Sequence, residues 1–95
     1  MAIVQVITFR TQAGTGGAFA EGFAPIVAAV RRAPGCERYE LLRSVADADT
    51  FVMLERWSDQ GSLDAALKLF PGRDHPEVAF LKLLAGAPTK ERYES

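Results

Sequence analysis

The side chains with the clearest chemical potential are the single histidine of the chain, His75, and its single tryptophan, Trp57. The unperturbed pKa of histidine lies near neutrality, so His75 could accept a proton from a bound molecule at physiological pH. Trp57 could wall a pocket with its ring and donate one N–H hydrogen bond. Glu55 falls on the same face as Trp57 if this stretch is a strand. These residue types would support proton transfer in an apolar pocket.

Each of these residues also has an ordinary structural interpretation. His75 could be an exposed loop residue beside a helix start, and Trp57 could be a core residue at the end of a central strand. A carboxylate at the inward position of Glu55 has to be paired or line a wet cavity. We favour a structural role for it, with Arg38 or Arg43 on the preceding strand as possible partners. The residues alone leave both interpretations open.

Other polar residues give weaker indications. Tyr39 and Tyr93 could donate to a ligand oxygen, but tyrosines on edge strands more often pack at an interface. Cys36 is the only cysteine, and no histidine adjoins it in sequence. The glycines of Thr15-Gly16-Gly17 could bind a phosphate through their N–H groups at a helix start, although the stretch matches no nucleotide-binding pattern. One histidine and one cysteine do not make a zinc site, and we expect neither a metal nor another cofactor.

Length and charge limit the classes of function. The 95 residues, 48% of them hydrophobic, predict a single domain over residues 1–95 that would gain from self-association. A net charge of -1 lacks the basic excess that nucleic-acid or anionic-membrane binding usually requires. No apolar stretch approaches the roughly 20 residues that span a bilayer, and the N-terminal run is a poor signal peptide. We therefore expect a cytoplasmic protein with no nucleic-acid or membrane partner.

Apolar periodicity predicts an alternation of strands and helices. The first helix contains Pro25, so it either kinks there or begins near Phe23. A third helix is predicted after a capping box at Asp74 and Glu77, with Leu81, Leu84 and Ala85 among its inward residues. The predicted elements are a strand over 2–10, a helix over 18–33, strands over 36–46 and 51–57, a helix after Ser58 or Asp59 that is broken at Pro71-Gly72, and a final strand within 89–95.

This order predicts an α+β fold. Two βαβ halves joined by a hairpin form a ferredoxin-like βαββαβ unit with a four-stranded antiparallel sheet. Its first and third strands are central, and its second and fourth strands lie at the edges. The stretch Glu-Arg-Tyr-Glu occurs twice, at 37–40 and 91–94, so each edge strand should carry one copy.

Two stretches resemble a known family. Pro34-Gly35-Cys36 with Tyr39-Glu40-Leu41 is similar to the start of the second strand in the antibiotic biosynthesis monooxygenase (ABM) family of dimeric α/β-barrel proteins. The run 51–57, ending in Glu55-Arg56-Trp57 and followed by Ser58-Asp59, resembles the third strand of that family. The similarity extends over most of the chain.

The resemblance implies a homodimeric α/β barrel with a ligand cavity in each subunit between sheet and helices. It also implies oxidation of a small aromatic substrate, quinol-like or polyketide-like, by O2 without metal or flavin. On this basis His75 and Trp57 are the candidate catalytic residues. The residues expected to bind the substrate are Phe23, Phe51, Met53, Glu55 and Phe70.

The chain also departs from the family pattern. The helix after Trp57 lacks the histidine that family members commonly carry there, and the first strand lacks the asparagine of haem-degrading members. Two alternatives therefore stay open: a non-catalytic small-molecule-binding or stress-response protein, and a polyketide cyclase that uses a similar pocket without O2. In a dimer of this type, strand four of one chain can approach strand two of the other, and we expect Tyr39 and Tyr93 to lose exposure there.

Overall fold

The structure is a computed structural model that describes residues 1–69 and 81–95. Its elements are β1 (Ile3–Arg10), α1 (Gly16–Val30), β2 (Cys36–Arg43), β3 (Thr50–Trp57), α2 (Gln60–Leu69) and β4 (Thr89–Glu94). The strands form one antiparallel sheet in the order β2-β3-β1-β4. The predicted ferredoxin-like arrangement is confirmed, with β1 and β3 central and the two Glu-Arg-Tyr-Glu copies on the edges.

Strict alternation along the central strands gives the sheet two different faces. Every second residue of β1 and β3 is buried, because successive side chains of a strand point to opposite sides. The buried face packs against α1 and α2 through a core that includes the rings of Phe9, Phe19, Phe23 and Phe51, whose contacting centroids lie 5.1–5.8 Å apart. The other face is only half-buried. The helices therefore cover one side of the sheet.

The first helix begins earlier than the sequence suggests and passes through its proline. Pro25 lies inside α1, so of the two alternatives the one in which the helix begins near Phe23 is wrong. Pro25 is on the exposed side, where water can satisfy the carbonyl whose hydrogen-bond partner the proline removes. The helix continues because its opposite side keeps its apolar contacts with the sheet.

The start of α1 is held by Asp49, which lies just before β3. The Asp49 carboxylate accepts hydrogen bonds from the N–H of Gly14 at 3.0 Å, the N–H of Gly16 at 2.9 Å and the hydroxyl of Thr11 at 3.3 Å. These bonds, first those from Gly14 and Gly16, lower the pKa of Asp49. The carboxylate therefore occupies the N–H of Gly16, one of the groups that the sequence suggested for a phosphate. A side chain at Gly16 would collide with the carbonyl of Ala48, which explains the glycine.

The region of the predicted third helix is only partly described. Phe70, His75 and the capping box at Asp74 and Glu77 lie outside the described residues. Residues 81–83 form a short 3-10 turn, and Leu84 then pairs with Thr11 in an isolated antiparallel bridge. Leu81 and Leu84 pack against the core as predicted, whereas Ala85 is exposed, so its predicted inward position is wrong. None of the described helices is long and apolar enough to cross a membrane.

Candidate ligand-binding site

A cavity of about 310 Å³ lies between the buried face of the sheet and the two helices. Its size is at the lower end of small-molecule sites. Most of its wall is apolar and is formed by the sheet, by both helices and by the segment before β4. The apolar lining residues include Ile7 and Phe9 from β1, Phe23, Ile26 and Val30 from α1, Leu63, Ala66 and Leu67 from α2, and Leu81, Leu84 and Pro88 from the last segment.

A row of polar side chains crosses the sheet on the cavity side. Arg92 on β4 lies opposite Gln5 on β1, Gln5 lies opposite Glu55 on β3, and Glu55 lies opposite Tyr39 on β2. Gln5, Glu55 and Tyr39 line the cavity together with Trp57. Because directly opposite residues bring their side chains together, the antiparallel register assembles a polar strip on an otherwise apolar floor.

Hydrogen bonds connect this row. The Gln5 amide donates from Nε2 to Glu55 Oε2 at 3.0 Å, and the Trp57 indole donates from Nε1 to Glu55 Oε1 at 2.9 Å. Arg92 donates from Nε to Gln5 Oε1 at 3.0 Å. The guanidinium fixes the Gln5 amide with its oxygen toward β4 and its nitrogen toward Glu55. Both oxygens of the carboxylate are therefore held in place.

The carboxylate lies in an unusual environment for a charge. Glu55 is 4% exposed and Gln5 is 2% exposed, and burying a carboxylate is costly unless donors or cations compensate it. Its two hydrogen bonds in the described part of the chain come from neutral groups, and the cation Arg92 contacts it only through Gln5. Arg38 and Arg43, the partners suggested by the sequence, instead bond to Glu40 and to the carbonyl of Ala48.

Tyr39 adds a hydroxyl to the same wall. Burial, followed by the charges of Glu55 and Cys36, raises the pKa of Tyr39 well above its usual range. The phenol therefore stays protonated at physiological pH and acts as a donor. In the single chain Tyr39 lines the cavity, and its loss of exposure in a dimer stays a prediction.

The structure places the residues predicted for the site in three locations. Trp57, Glu55 and Phe23 line the cavity. Phe51 and Met53 are buried in the core and are absent from the described cavity wall. His75 and Phe70 lie outside the described residues. The N–H that Trp57 was expected to offer to a substrate is donated to Glu55 instead, so Trp57 contributes its ring to the wall.

Sequence reasoning missed Gln5, Arg92 and Lys90. A signal for Gln5 was present, because a glutamine at the inward position between Ile3 and Ile7 interrupts an apolar face. No such signal existed for Arg92, since the sequence does not reveal which side of an edge strand faces the helices. Lys90 lines the cavity opposite Ile7 and is exposed. In residues 1–69 and 81–95, no three His, Cys, Asp or Glu side chains are placed to hold a metal ion.

Comparison with known proteins agrees with the fold and the motifs. A family model described as antibiotic biosynthesis monooxygenase matches residues 2–70. A solved structure from Caulobacter crescentus, described as a candidate member of this family, has 26% sequence identity and a TM-score of 0.83, covering 99% of this chain and 89% of that one. No curated protein sequence gave a match.

Two further structures share the fold at lower identity. A candidate antibiotic biosynthesis monooxygenase from Nitrosomonas europaea has a TM-score of 0.84 at 17% identity, with 99% and 89% of the two chains covered. A mutant of SnoaB, a cofactor-independent oxygenase from Streptomyces nogalater, has a TM-score of 0.77 at 22% identity, with 99% and 92% covered. Because the family model spans most of the sequence, the chain belongs to the antibiotic biosynthesis monooxygenase family.

Proposed function

We propose that this protein is a cofactor-independent monooxygenase that oxidises a small aromatic substrate, quinol-like or polyketide-like, with O2. The observation that carries the proposal is the cavity, whose mostly apolar wall contains a fixed polar strip with Glu55 and Trp57. Membership of the family supports the reaction class, and the SnoaB fold is one example in which a cofactor-independent oxygenase uses this architecture.

The cavity suits the chemical demands of such a reaction. An electron-rich aromatic can reduce O2 once it has lost a proton, and a water-poor pocket protects the reactive intermediate. At a methylene beside the ring, one oxygen atom enters the carbon as C=O, and the other leaves as water with the two hydrogens of that carbon. The substrate supplies all four electrons, so no external reductant is needed. His75 is the proposed proton acceptor, and the ring of Trp57 is proposed to hold the substrate plane.

Oxygen consumption tests this proposal directly. The purified protein is incubated in metal-free buffer with anthrone-type and naphthoquinol-type probes, and O2 uptake and product mass are measured. Uptake with insertion of one oxygen atom is expected, and His75→Ala should lose most of it while keeping the wild-type melting temperature. Probe binding without O2 uptake or conversion would support the small-molecule-binding alternative, and conversion without O2 uptake would support a cyclase.

We also propose that the protein is a homodimer that pairs the uncovered faces of two sheets. The face opposite the helices carries Val4 and Val6 on β1 and Val52 and Leu54 on β3, all half-buried in the single chain. Leu42 and Tyr93 on the edge strands are 44% and 51% exposed. A contiguous apolar face of this kind is characteristic of an interaction surface, and a second copy of the sheet matches its shape.

A charge on this face should disrupt the dimer. Leu54→Arg places a cation at the centre of the proposed interface, where dimerisation would have to remove it from water, a cost that pairing with Glu40 on the adjacent strand does not repay. Light scattering should give twice the monomer mass for the wild type and the monomer mass for Leu54→Arg. Val45→Arg is the control, because Val45 is fully exposed in the turn after β2. A monomeric wild type, or a variant that stays dimeric, would contradict this assembly.

A further inference from the structure

We propose that Glu55 and Tyr39 form a subsite for an uncharged hydroxyl group of an aromatic ligand. The ligand hydroxyl donates its hydrogen to the Glu55 carboxylate and accepts a hydrogen bond from the Tyr39 phenol. This assignment rests on the proposed function, since it specifies which group of the substrate Glu55 and Tyr39 bind and which chemical form the cavity accepts. It also specifies the substrate-binding role that the family resemblance implied for Glu55, where the residues alone favoured a structural role.

The carboxylate retains acceptor capacity that faces the cavity. A carboxylate has about four lone-pair positions on its two oxygens. Within the part of the chain that the structure describes, each Glu55 oxygen accepts one hydrogen bond, from Gln5 to Oε2 and from Trp57 to Oε1. Glu55 also lines the cavity wall. A donor on a bound ligand can therefore reach an acceptor that is already fixed in position.

The charge of the carboxylate determines which donor it selects. Glu55 is almost completely buried, and Arg92 approaches it only through the Gln5 amide. A further donor from the ligand would compensate the buried charge, and hydrogen bonds to charged groups are stronger than neutral ones. A ligand carboxylate or phenolate at the same place would bring two negative charges together in a poorly solvated site. The subsite should accept a neutral hydroxyl and reject its anionic counterpart.

Tyr39 completes the recognition of the hydroxyl group. It lies directly opposite Glu55 in the sheet, and its side chain lines the same cavity. Its hydroxyl makes no hydrogen bond to residues 1–69 or 81–95, and burial keeps it protonated. A hydroxyl on the ligand is both a donor and an acceptor, so it can satisfy Glu55 and Tyr39 together. A ligand with only an acceptor can satisfy Tyr39 alone.

Gln5 and Arg92 act on this subsite as positioning residues. The bond from Arg92 to Gln5 Oε1 prevents the amide from rotating its oxygen toward Glu55, where it would repel the carboxylate. The amide nitrogen then anchors Oε2, while the indole of Trp57 anchors Oε1. The acceptor is therefore oriented before the ligand binds, which lowers the ordering cost of binding.

The single tryptophan provides a spectroscopic probe of this subsite. Trp57 is the only tryptophan in the chain, so a ¹⁵N-labelled sample gives one indole N–H signal, from the group that donates to Glu55. The protein is titrated at pH 7 with 2-naphthol, with 2-methoxynaphthalene, which lacks the donor, and with 2-naphthoate, which is anionic. We expect 2-naphthol to shift the indole signal and to bind about tenfold more tightly than its methyl ether. The naphthoate should bind most weakly.

Two variants separate the two halves of the subsite. Glu55→Gln removes the charge with little change of shape, so the preference for naphthol over its methyl ether should shrink while naphthoate binds more tightly than to the wild type. Damage to the fold would weaken all three probes. Tyr39→Phe should weaken naphthol and the methyl ether together, by about fivefold. Tyr93→Phe is the matched control, because Tyr93 carries the same change on the opposite face of the sheet.

The outcomes distinguish this proposal from the oxygenase proposal. Equal binding of naphthol and its methyl ether, no binding of either, or unchanged selectivity in Glu55→Gln would overturn the hydroxyl subsite even if O2 uptake is observed. Hydroxyl-selective binding that depends on Glu55 would support the subsite even if no substrate is oxidised.

Discussion

The two copies of Glu-Arg-Tyr-Glu have identical sequences on opposite edges of one sheet but present different side chains to the cavity. In the first copy, on β2, Tyr39 lines the cavity. In the second copy, on β4, Arg92 lies on the cavity side and bonds to Gln5, while Tyr93 points to the other face and donates to Glu91. The first copy supplies the phenol of Tyr39 to the cavity wall, and the second supplies the guanidinium of Arg92, which orients the Gln5 amide.

The register of each edge strand explains this difference. In β4 the pairing with β1 is regular, and Arg92 lies opposite the buried Gln5. In β2 the pairing with β3 shifts between Cys36 and Arg38, so that Cys36 lies opposite Trp57 and Tyr39 lies opposite Glu55. A regular strand places only residues an even number apart on one face, and the irregularity lets Cys36 and Tyr39 share a face. The side chain that an edge-strand motif presents to the cavity therefore depends on the strand register as well as on the amino-acid sequence.

The largest change in stability should come from substituting Gly35, the glycine that precedes the first Glu-Arg-Tyr-Glu copy. Gly35 has φ of 81°, and an added Cβ would fall on the side chain of Ser62. Gly35→Ala therefore combines backbone strain with a steric clash, and we expect it to lower the free energy of unfolding by about 2–4 kcal/mol. Denaturant unfolding followed by circular dichroism measures the loss.

Gly14→Ala provides a matched control for this substitution. Gly14 has φ of 80° but no neighbour within 4 Å of an added Cβ. The variant therefore reports the backbone strain alone, which should cost about 1 kcal/mol. Equal losses for the two variants would mean that the side chain of Ser62 moves aside at no cost, and that backbone strain alone destabilises Gly35→Ala.

A smaller effect should distinguish Tyr39 from Tyr93 in the way the free energy of unfolding falls at alkaline pH. Burial raises the folded-state pKa of Tyr39 above its unfolded value of about 10. The resulting stabilisation is complete below pH 10 and is lost as the pH rises toward the folded-state pKa, by about 1 kcal/mol between pH 10 and 11. Tyr39→Phe should remove this part of the pH dependence. Unfolding measured at pH 9, 10 and 11 for wild type and variant gives the difference.

Tyr93→Phe tests whether burial causes that effect. The pKa of Tyr93 is also raised, first by its hydrogen bond to Glu91 and then by the charge of Glu91. Tyr93 is half-exposed, however, so solvent screens these interactions. The fall in the unfolding free energy of Tyr93→Phe at alkaline pH should therefore stay close to that of the wild type. A larger change for Tyr93 than for Tyr39 would show that burial in the cavity is not the dominant cause.

The sequence predicts the order of elements because each follows from a local pattern. Alternation places β1 and β3, the stop at Pro34-Gly35 places the start of β2, and the short, charged stretch after Pro88 places β4. The resulting topology correctly puts both motif copies on the edges. The family resemblance, which rests on Gly35, Tyr39 and the run ending at Trp57, is likewise confirmed.

The details of the site depend on pairing between distant residues. Glu55 is bonded by Gln5, which is 50 positions away, and Gln5 by Arg92, which is 87 positions away. No local pattern encodes these contacts, since they depend on the register of three strands. The start of α1 shows the same limit: its glycines suggested an anion site, and the anion is the carboxylate of Asp49 from the loop before β3.

The smallest predicted effect compares the arginines of the two motif copies. Arg92→Met removes the bond that orients Gln5 and keeps most of the apolar stem. We expect it to shift the indole signal of Trp57 and to weaken 2-naphthol binding about threefold, since one hydrogen bond acts on the ligand only through Gln5. Arg92→Lys, which keeps a donor and the charge, should recover part of the loss.

Arg38→Met makes the same change in the first copy and should leave the site unaltered. Arg38 forms an ion pair with Glu40 at 3.1 Å, and both side chains are well exposed, at 51% and 39%. Exposed pairs of this kind contribute little to stability, so Arg38→Met should keep an unfolding free energy close to that of the wild type and leave the indole signal in place. If Arg38→Met moved the indole signal as much as Arg92→Met, the signal would report a general change in the sheet. If only Arg92→Met moves it, the second motif copy contributes to the site through Gln5, because its register alone places an arginine on the cavity side.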